Sequence, residues 1–305
     1  MIKNNELINL IENKIFLGDG AMGTLLQGFG LSTSPDLFLQ GENDFLEKIK
    51  DIHYRYLESG SNIIQTSTFS ANEPKLSAFG INDIRDLETI NYNAASAARR
   101  AISEFREKTG SKRIILSAAN LGPTGKLLEP FGDLSYEKAV EAFRRQSEYL
   151  ISTELTDIFL IETMMDLNEA LAAVEAVKLA DKDAAIICTV TFNENGVTLM
   201  GNKTEDALKA MLEAGATIAG ANCSVGSDKM LEVVKRMRQS DKEAKLIFQP
   251  NAGIPKMVNG MTVFDETPEI FAENVKKYLP YSPSIIGGCC GSTPEHIAKL
   301  AELLE

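Results

Sequence analysis

Eight short apolar runs alternate with amphipathic stretches along the whole chain, and this alternation limits the fold more than any other feature. The runs are 15–19, 62–69, 113–120, 157–163, 184–192, the segment ending at Cys223, 245–251, and the segment leading to Cys289-Cys290. Between them lie helical patterns over 44–59, 83–108, Ser135 to about Thr153, 167–180, Thr204 to the closing Gly215, 227–239, 267–278 and Pro294 to about Leu304. A further short helix over 4–12 precedes the first run. The apolar runs are nearly continuous, as expected when both faces of a strand are covered. Strict alternation of strand and helix implies a parallel sheet. Eight such units in 305 residues, without a linker or low-complexity tract, predict one α/β domain over 1–305, a (β/α)8 TIM barrel with a short N-terminal helix. The rival is an open doubly wound sheet. It would use Gly18-x-Gly20-x-x-Gly23 for phosphate, but the second run ends in threonine and serine where an acidic residue is needed.

Composition removes several function classes. A net charge of −12 argues against nucleic acid and anionic membrane surfaces. No apolar run approaches the roughly 18 residues that cross a bilayer, and the N-terminus reads as polar, so a cytoplasmic protein is expected. Only two histidines occur, His53 and His296, both inside helical patterns and both read as structural. A hydrolytic triad would need one of them. Four cysteines do not make a disulfide framework, and the grouping of three favours a metal.

In a barrel, chemistry is carried by the C-terminal ends of the strands. Here those ends supply Asp19, Thr66 and Thr68, Asn120, Glu162, Thr191 and Asn193, Cys223, Asn251, and Cys289 with Cys290. The vicinal cysteines lie in Gly287-Gly288-Cys289-Cys290-Gly291, where glycines let the backbone turn so that both thiols face one point. With Cys223 they predict a zinc site, one ion per chain, whose fourth position is open, as catalytic sites require. Cys188 falls inside a strand and reads as a buried small hydrophobe; Met164-Met165 read as core or gap filling. An all-sulfur ligand set suits thiol alkylation better than hydrolysis. A free thiol is only about 3% ionised at pH 7; full deprotonation on zinc raises the reactive form about 30-fold, worth roughly 2 kcal/mol. Asp19 and Glu162 are candidates to receive an ammonium group, and the turn Gly20-Ala21-Met22-Gly23-Thr24 to meet a carboxylate through backbone N–H groups. The strand ends themselves offer no cation; Lys126, Lys203 and Lys256 lie a few residues beyond.

With these residues assembled, the chain resembles the homocysteine S-methyltransferase family, most nearly the N-terminal homocysteine-binding barrel of cobalamin-dependent methionine synthase. The strings that carry the resemblance are Asp19-Gly20-Ala21-Met22-Gly23-Thr24, Gln65-Thr66-Ser67-Thr68-Phe69, Gly122-Pro123-Thr124-Gly125, Glu162-Thr163, Gly220-Ala221-Asn222-Cys223, Gln249-Pro250-Asn251-Ala252-Gly253-Ile254-Pro255 and Gly287-Gly288-Cys289-Cys290-Gly291-Ser292-Thr293-Pro294-Glu295-His296. The resemblance implies a zinc-bound homocysteine thiolate that takes a methyl group and leaves as methionine. It assigns Cys223, Cys289 and Cys290 to zinc and to catalysis, and Asp19, Gly20, Ala21, Thr66, Glu162 and Asn222 to the substrate. It implies a donor such as methylcobalamin or another methyl-corrinoid on a separate protein or module. Betaine or S-methylmethionine is the small-donor alternative. The alternative of another class is a non-catalytic zinc-binding subunit of a methyltransferase complex.

Overall fold

The computed structural model describes residues 1–28, 43–258 and 261–305. The chain begins with α1 (Asn4–Ile11), β1 (Phe16–Leu17), α2 (Gly23–Gln27), α3 (Asn43–Glu58), β2 (Ile63–Gln65), α4 (Glu73–Ser77), α5 (Ile84–Thr109) and β3 (Leu116–Leu121). It continues through α6 (Tyr136–Ser152), β4 (Ile158–Met164), α7 (Leu167–Ala180), β5 (Ile186–Val190), α8 (Thr204–Ala214), β6 (Ile218–Gly226), α9 (Ser227–Ser240) and β7 (Leu246–Asn251). A hairpin of β8 (Lys256–Val258) and β9 (Met261–Val263) then precedes α10 (Pro268–Lys276), β10 (Ile285–Ile286) and α11 (Pro294–Leu304).

Eight of these strands form one parallel sheet in the order β1-β10-β7-β6-β5-β4-β3-β2. The two outer members meet through a parallel bridge between Gly18 and Ile63, and Asn62 N donates to Leu17 O at 2.6 Å. The sheet therefore closes into the expected (β/α)8 barrel, and the doubly wound alternative falls.

Side chains alternate across each strand. Phe16, Ile63, Leu116, Ile158, Leu160, Ile187, Ile218, Ile247 and Ile285 point into the barrel and pack with Leu7 and Ile11 of α1. The short first helix is thus the plug of the N-terminal end, tied there by Ile2 N to Asp157 O (2.8 Å) and Asn4 N to Asp183 O (3.1 Å). Residues of the other parity, including Ile64, Phe159, Cys188 and Phe248, pack between sheet and helices. That parity takes Cys188 away from the barrel mouth, and burial pushes its thiol far up.

The same count, carried to the C-terminal end, turns polar. Two residues beyond Ala118, Leu160, Ile187, Gly220 and Ile247 come Asn120, Glu162, Thr189, Asn222 and Gln249, all buried. Helix ends fall where capping chemistry puts them. Ser135 caps α6 by accepting from Lys138 N, and Gly215 ends α8 in the left-handed conformation.

Several expectations need correction. The run 62–69 holds only three strand residues, because the chain turns at Thr66–Ser70 to bring Thr66 and Thr68 together. Met165 is not core: it is half exposed, while Met164 is buried. The β8–β9 hairpin and the short α4 have no counterpart in the periodicity, since each is too short to show a period.

Candidate metal centre and substrate cavity

A regular strand cannot aim neighbouring side chains at one point. β6 does so by leaving the β region: Cys223 and Ser224 have φ of 59° and 61°. Asn222 keeps its inward direction, and the change of parity turns Cys223 inward beside it. Next to it at the end of β4, Thr163 has φ of 60°. Such a conformation in a β-branched residue costs about 1–3 kcal/mol and needs support from its surroundings. Asn222 provides it: its Oδ1 accepts from Thr163 N (2.9 Å) and its Nδ2 donates to Thr163 Oγ1 (2.8 Å).

The sulfurs of Cys223, Cys289 and Cys290 lie within 4.8 Å of one another, and Cys223 Sγ is 3.9 Å from Cys290 Sγ. Tetrahedral metal–sulfur bonds of about 2.3 Å set sulfurs about 3.8 Å apart, so the three thiols fit one zinc ion. Their protons are shared. Hydrogen bonds from Cys289 and Cys290 hold Cys223 well below the ordinary thiol range, and the same sharing raises Cys289 and pushes Cys290 up to about 12. N–H donors surround the sulfurs: Ser224 N and the Asn251 amide face Cys223, and Asn222 Nδ2 lies 3.7 Å from Cys289 Sγ.

The cysteines border a cavity of about 570 Å3, within the size range of small-molecule sites. Asp19, Gly20, Ala21, Thr66 and Glu162 line the same cavity. Asn222 does not; it lies completely buried behind Glu162, donating to its Oε2 at 3.0 Å while Asn120 Nδ2 donates to Oε1 at 2.7 Å. Among the described residues, Thr191, Asn193, Lys126, Lys203 and Lys256 do not line it, nor does any other lysine or arginine.

Two buried carboxyls therefore face a space without a cation. Burial raises Asp19 well above the usual carboxylate range, with Glu162 adding repulsion, and burial raises Glu162 to about 7. Asp19 Oδ2 accepts from Gln65 N at 2.9 Å, but among the described residues Asp19 Oδ1 has no partner; nor has Asn120 Oδ1. An incoming ammonium would relieve both the repulsion and the missing donors. The Gly20–Thr24 turn borders the cavity, yet Ala21 N already donates to Ser292 Oγ at 3.2 Å, so Ala21 is not a free donor.

Sequence reasoning placed Asn120 among the strand ends without giving it a role; it lines the cavity and donates to Glu162. It missed the roles of Ser292 and Tyr56, which bond directly to residues of the cavity. Ser292 and Tyr56 gave no pattern, because their partners are backbone groups distant in sequence. Around the mouth, loops after several strands expose apolar side chains: Phe79, Phe131 (71%), Met165, Leu199 (70%) and Met257 (71%).

A family model described as homocysteine S-methyltransferase matches residues 16–304. Among solved structures, the chain is similar to the homocysteine methyltransferase MmuM from Escherichia coli. The metallated form is 21% identical with a TM-score of 0.81, and the oxidized form is 21% identical with a TM-score of 0.80. Each match covers 97% of this chain and 99% of that one. At that identity the likeness establishes the shared fold.

Proposed function

The chain belongs to the homocysteine S-methyltransferase family, and from that premise we propose that it methylates homocysteine at the barrel mouth to give methionine. The observation that carries this reading is the convergence of three thiols with two buried carboxyls in one cavity that no cation lines among the described residues. Zinc held by Cys223, Cys289 and Cys290 would supply the charge that keeps an arriving thiol deprotonated at neutral pH. Asp19 and Glu162 receive the amino group, and Asn120 and Asn222 fix the Glu162 carboxylate by donating to its two oxygens. Thr66, whose hydroxyl is held by Thr68 and by Asn120 N, closes the wall beside them. The Gly20–Thr24 turn faces the carboxylate end.

In the transfer, homocysteine sulfur loses its proton and forms a bond to the methyl carbon. The donor–methyl bond breaks with its electron pair staying on the donor. The thioether product carries no thiol proton and no sulfur charge. The chain's part is to hold the sulfur and the amino group at fixed separation, so that only the donor must approach.

We further propose a methyl-corrinoid on another protein or module as donor. The exposed apolar side chains around the mouth support a macromolecule as the visitor. Purified protein assayed for zinc and for methyl transfer from methylcobalamin to homocysteine tests both parts. One zinc per chain with methionine formed is expected. Turnover with betaine or S-methylmethionine and none with methylcobalamin would replace the donor. Zinc without methyl transfer from any of them would leave a non-catalytic subunit.

A further inference from the structure

The helical stripe of α3 places Tyr56 among apolar residues, and its ring is completely buried in the layer between sheet and helices. Its hydroxyl has other neighbours. It donates to Ala21 O at 2.7 Å and lies 3.3 Å from Ser292 O. Ser292 Oγ accepts from Ala21 N at 3.2 Å and donates to Cys289 O at 2.7 Å. Both backbone groups of Ala21 are thus held, one by Tyr56 and one by Ser292, and Ser292 passes the connection to a candidate metal ligand. Two more bonds tie the same segments, Gly288 N to Asp19 O (3.0 Å) and Gly291 N to Thr24 Oγ1 (3.3 Å).

The assembly has no slack. A Cβ on Gly20 would lie 2.6 Å from Ser292 Oγ and 2.8 Å from the Tyr56 hydroxyl oxygen, and one on Gly288 would lie 2.3 Å from Ser292 Oγ. Real Cβ atoms do not approach that closely. The two glycines are pressed against the hydroxyl pair, so the turn and the cysteine loop must move together.

We propose that Tyr56 is a positioning residue: through Ala21 and Ser292 its hydroxyl couples the substrate-facing turn at Asp19–Thr24 to the loop that presents Cys289 and Cys290. The coupling rests on the homocysteine reading only for what fills the turn; its mechanical part stands on the bonds themselves. Tyr56 touches neither substrate nor metal. It sets the separation between the place where the amino acid is held and the place where its sulfur must arrive.

The test is Tyr56→Phe, which keeps the ring and removes only the hydroxyl, made beside Ser292→Ala and the double variant in the zinc-loaded protein. Two quantities are read: homocysteine KM against kcat, and the rate at which a chelator strips zinc in the absence of substrate. With the melting temperature nearly unchanged, Tyr56→Phe raises KM about five- to tenfold, leaves kcat within about twofold and speeds zinc loss several-fold. The double variant falls short of the product of the single effects, because both hydroxyls act on Ala21. A Tyr56→Phe protein with KM and zinc-release rate both within twofold of the parent overturns the proposal, as do fully multiplicative effects. Should the parent bind zinc but not methylate homocysteine, the functional reading fails, while the zinc-release comparison still decides the coupling.

Discussion

At the N-terminal end the barrel is filled by Leu7, Ile11, Phe16 and Ile63, apolar side chains that need only volume. At the other end, two residues beyond Ala118, Leu160, Gly220 and Ile247, the interior is Asn120, Glu162, Asn222 and Gln249. Acceptor oxygens of Asp19, Asn120, Gln249 and Asn251 have no partner there among the described residues, and Thr163, Cys223 and Ser224 hold left-handed backbone. Each unpaired buried group costs about 1–3 kcal/mol, and each strained residue a similar amount. The first end is where such costs are offset. Stability and chemistry are thereby separated along the barrel axis rather than shared by every layer.

If the separation is real, changes at the two ends fail in different ways. The largest effect is expected at the mouth: Cys289→Ala should lower methyl transfer by more than about a thousandfold and remove zinc, with the far-ultraviolet circular dichroism unchanged. An active, zinc-free variant would break the comparison at once. At the closed end, Ile11→Ala should cost about 2–5 kcal/mol in denaturant unfolding, with homocysteine KM and zinc content of the folded protein unaltered. Loss of zinc in step with stability would mean that the ends are not separable.

His53 sharpens the comparison because it is a buried polar group outside the cavity, in α3, with neither ring nitrogen partnered among the described residues. Burial lowers its pKa from 6.5 to about 3. The unfolded chain therefore takes up a proton below pH 6.5 that the folded chain refuses, and stability falls as pH drops from 6.5 towards 3. Between pH 6.5 and 5 this amounts to about 2 kcal/mol. His53→Phe should remove that part of the acid sensitivity in unfolding measured across this range; an identical pH slope would place a partner on the ring. The smallest expected effect is Glu162→Gln, which keeps the shape but loses the charge. Homocysteine KM should rise about tenfold, about 1.4 kcal/mol, with zinc retained. An unchanged KM would leave Asp19 as the only acid of the amino-group site.

Much of this was legible in the chain because it depends on residue type and local order. Alternating runs give eight strands and a closed barrel, and Cys289-Cys290 between glycines marks the site before any coordinates. What stayed hidden depends on distant backbone. Asn222 reads as a substrate residue, but it lies buried beneath Glu162, to which it donates, and its amide supports Thr163. Tyr56 reads as one more apolar member of a helix stripe, because periodicity records where a ring lies and not where its hydroxyl ends. The β7–α10 connection contains a hairpin of two three-residue strands, too short for an alternating pattern to stand out.

The central claim is that Cys223, Cys289 and Cys290 share one zinc ion and leave a place on it for the homocysteine sulfur. X-ray absorption at the zinc edge tests this directly, on the purified protein with and without homocysteine. The account predicts three sulfur neighbours that become four when homocysteine is added, with no such change for an analogue carrying a hydroxyl in place of the thiol. A coordination shell that is not sulfur-rich, or one that homocysteine leaves unaltered, would contradict it.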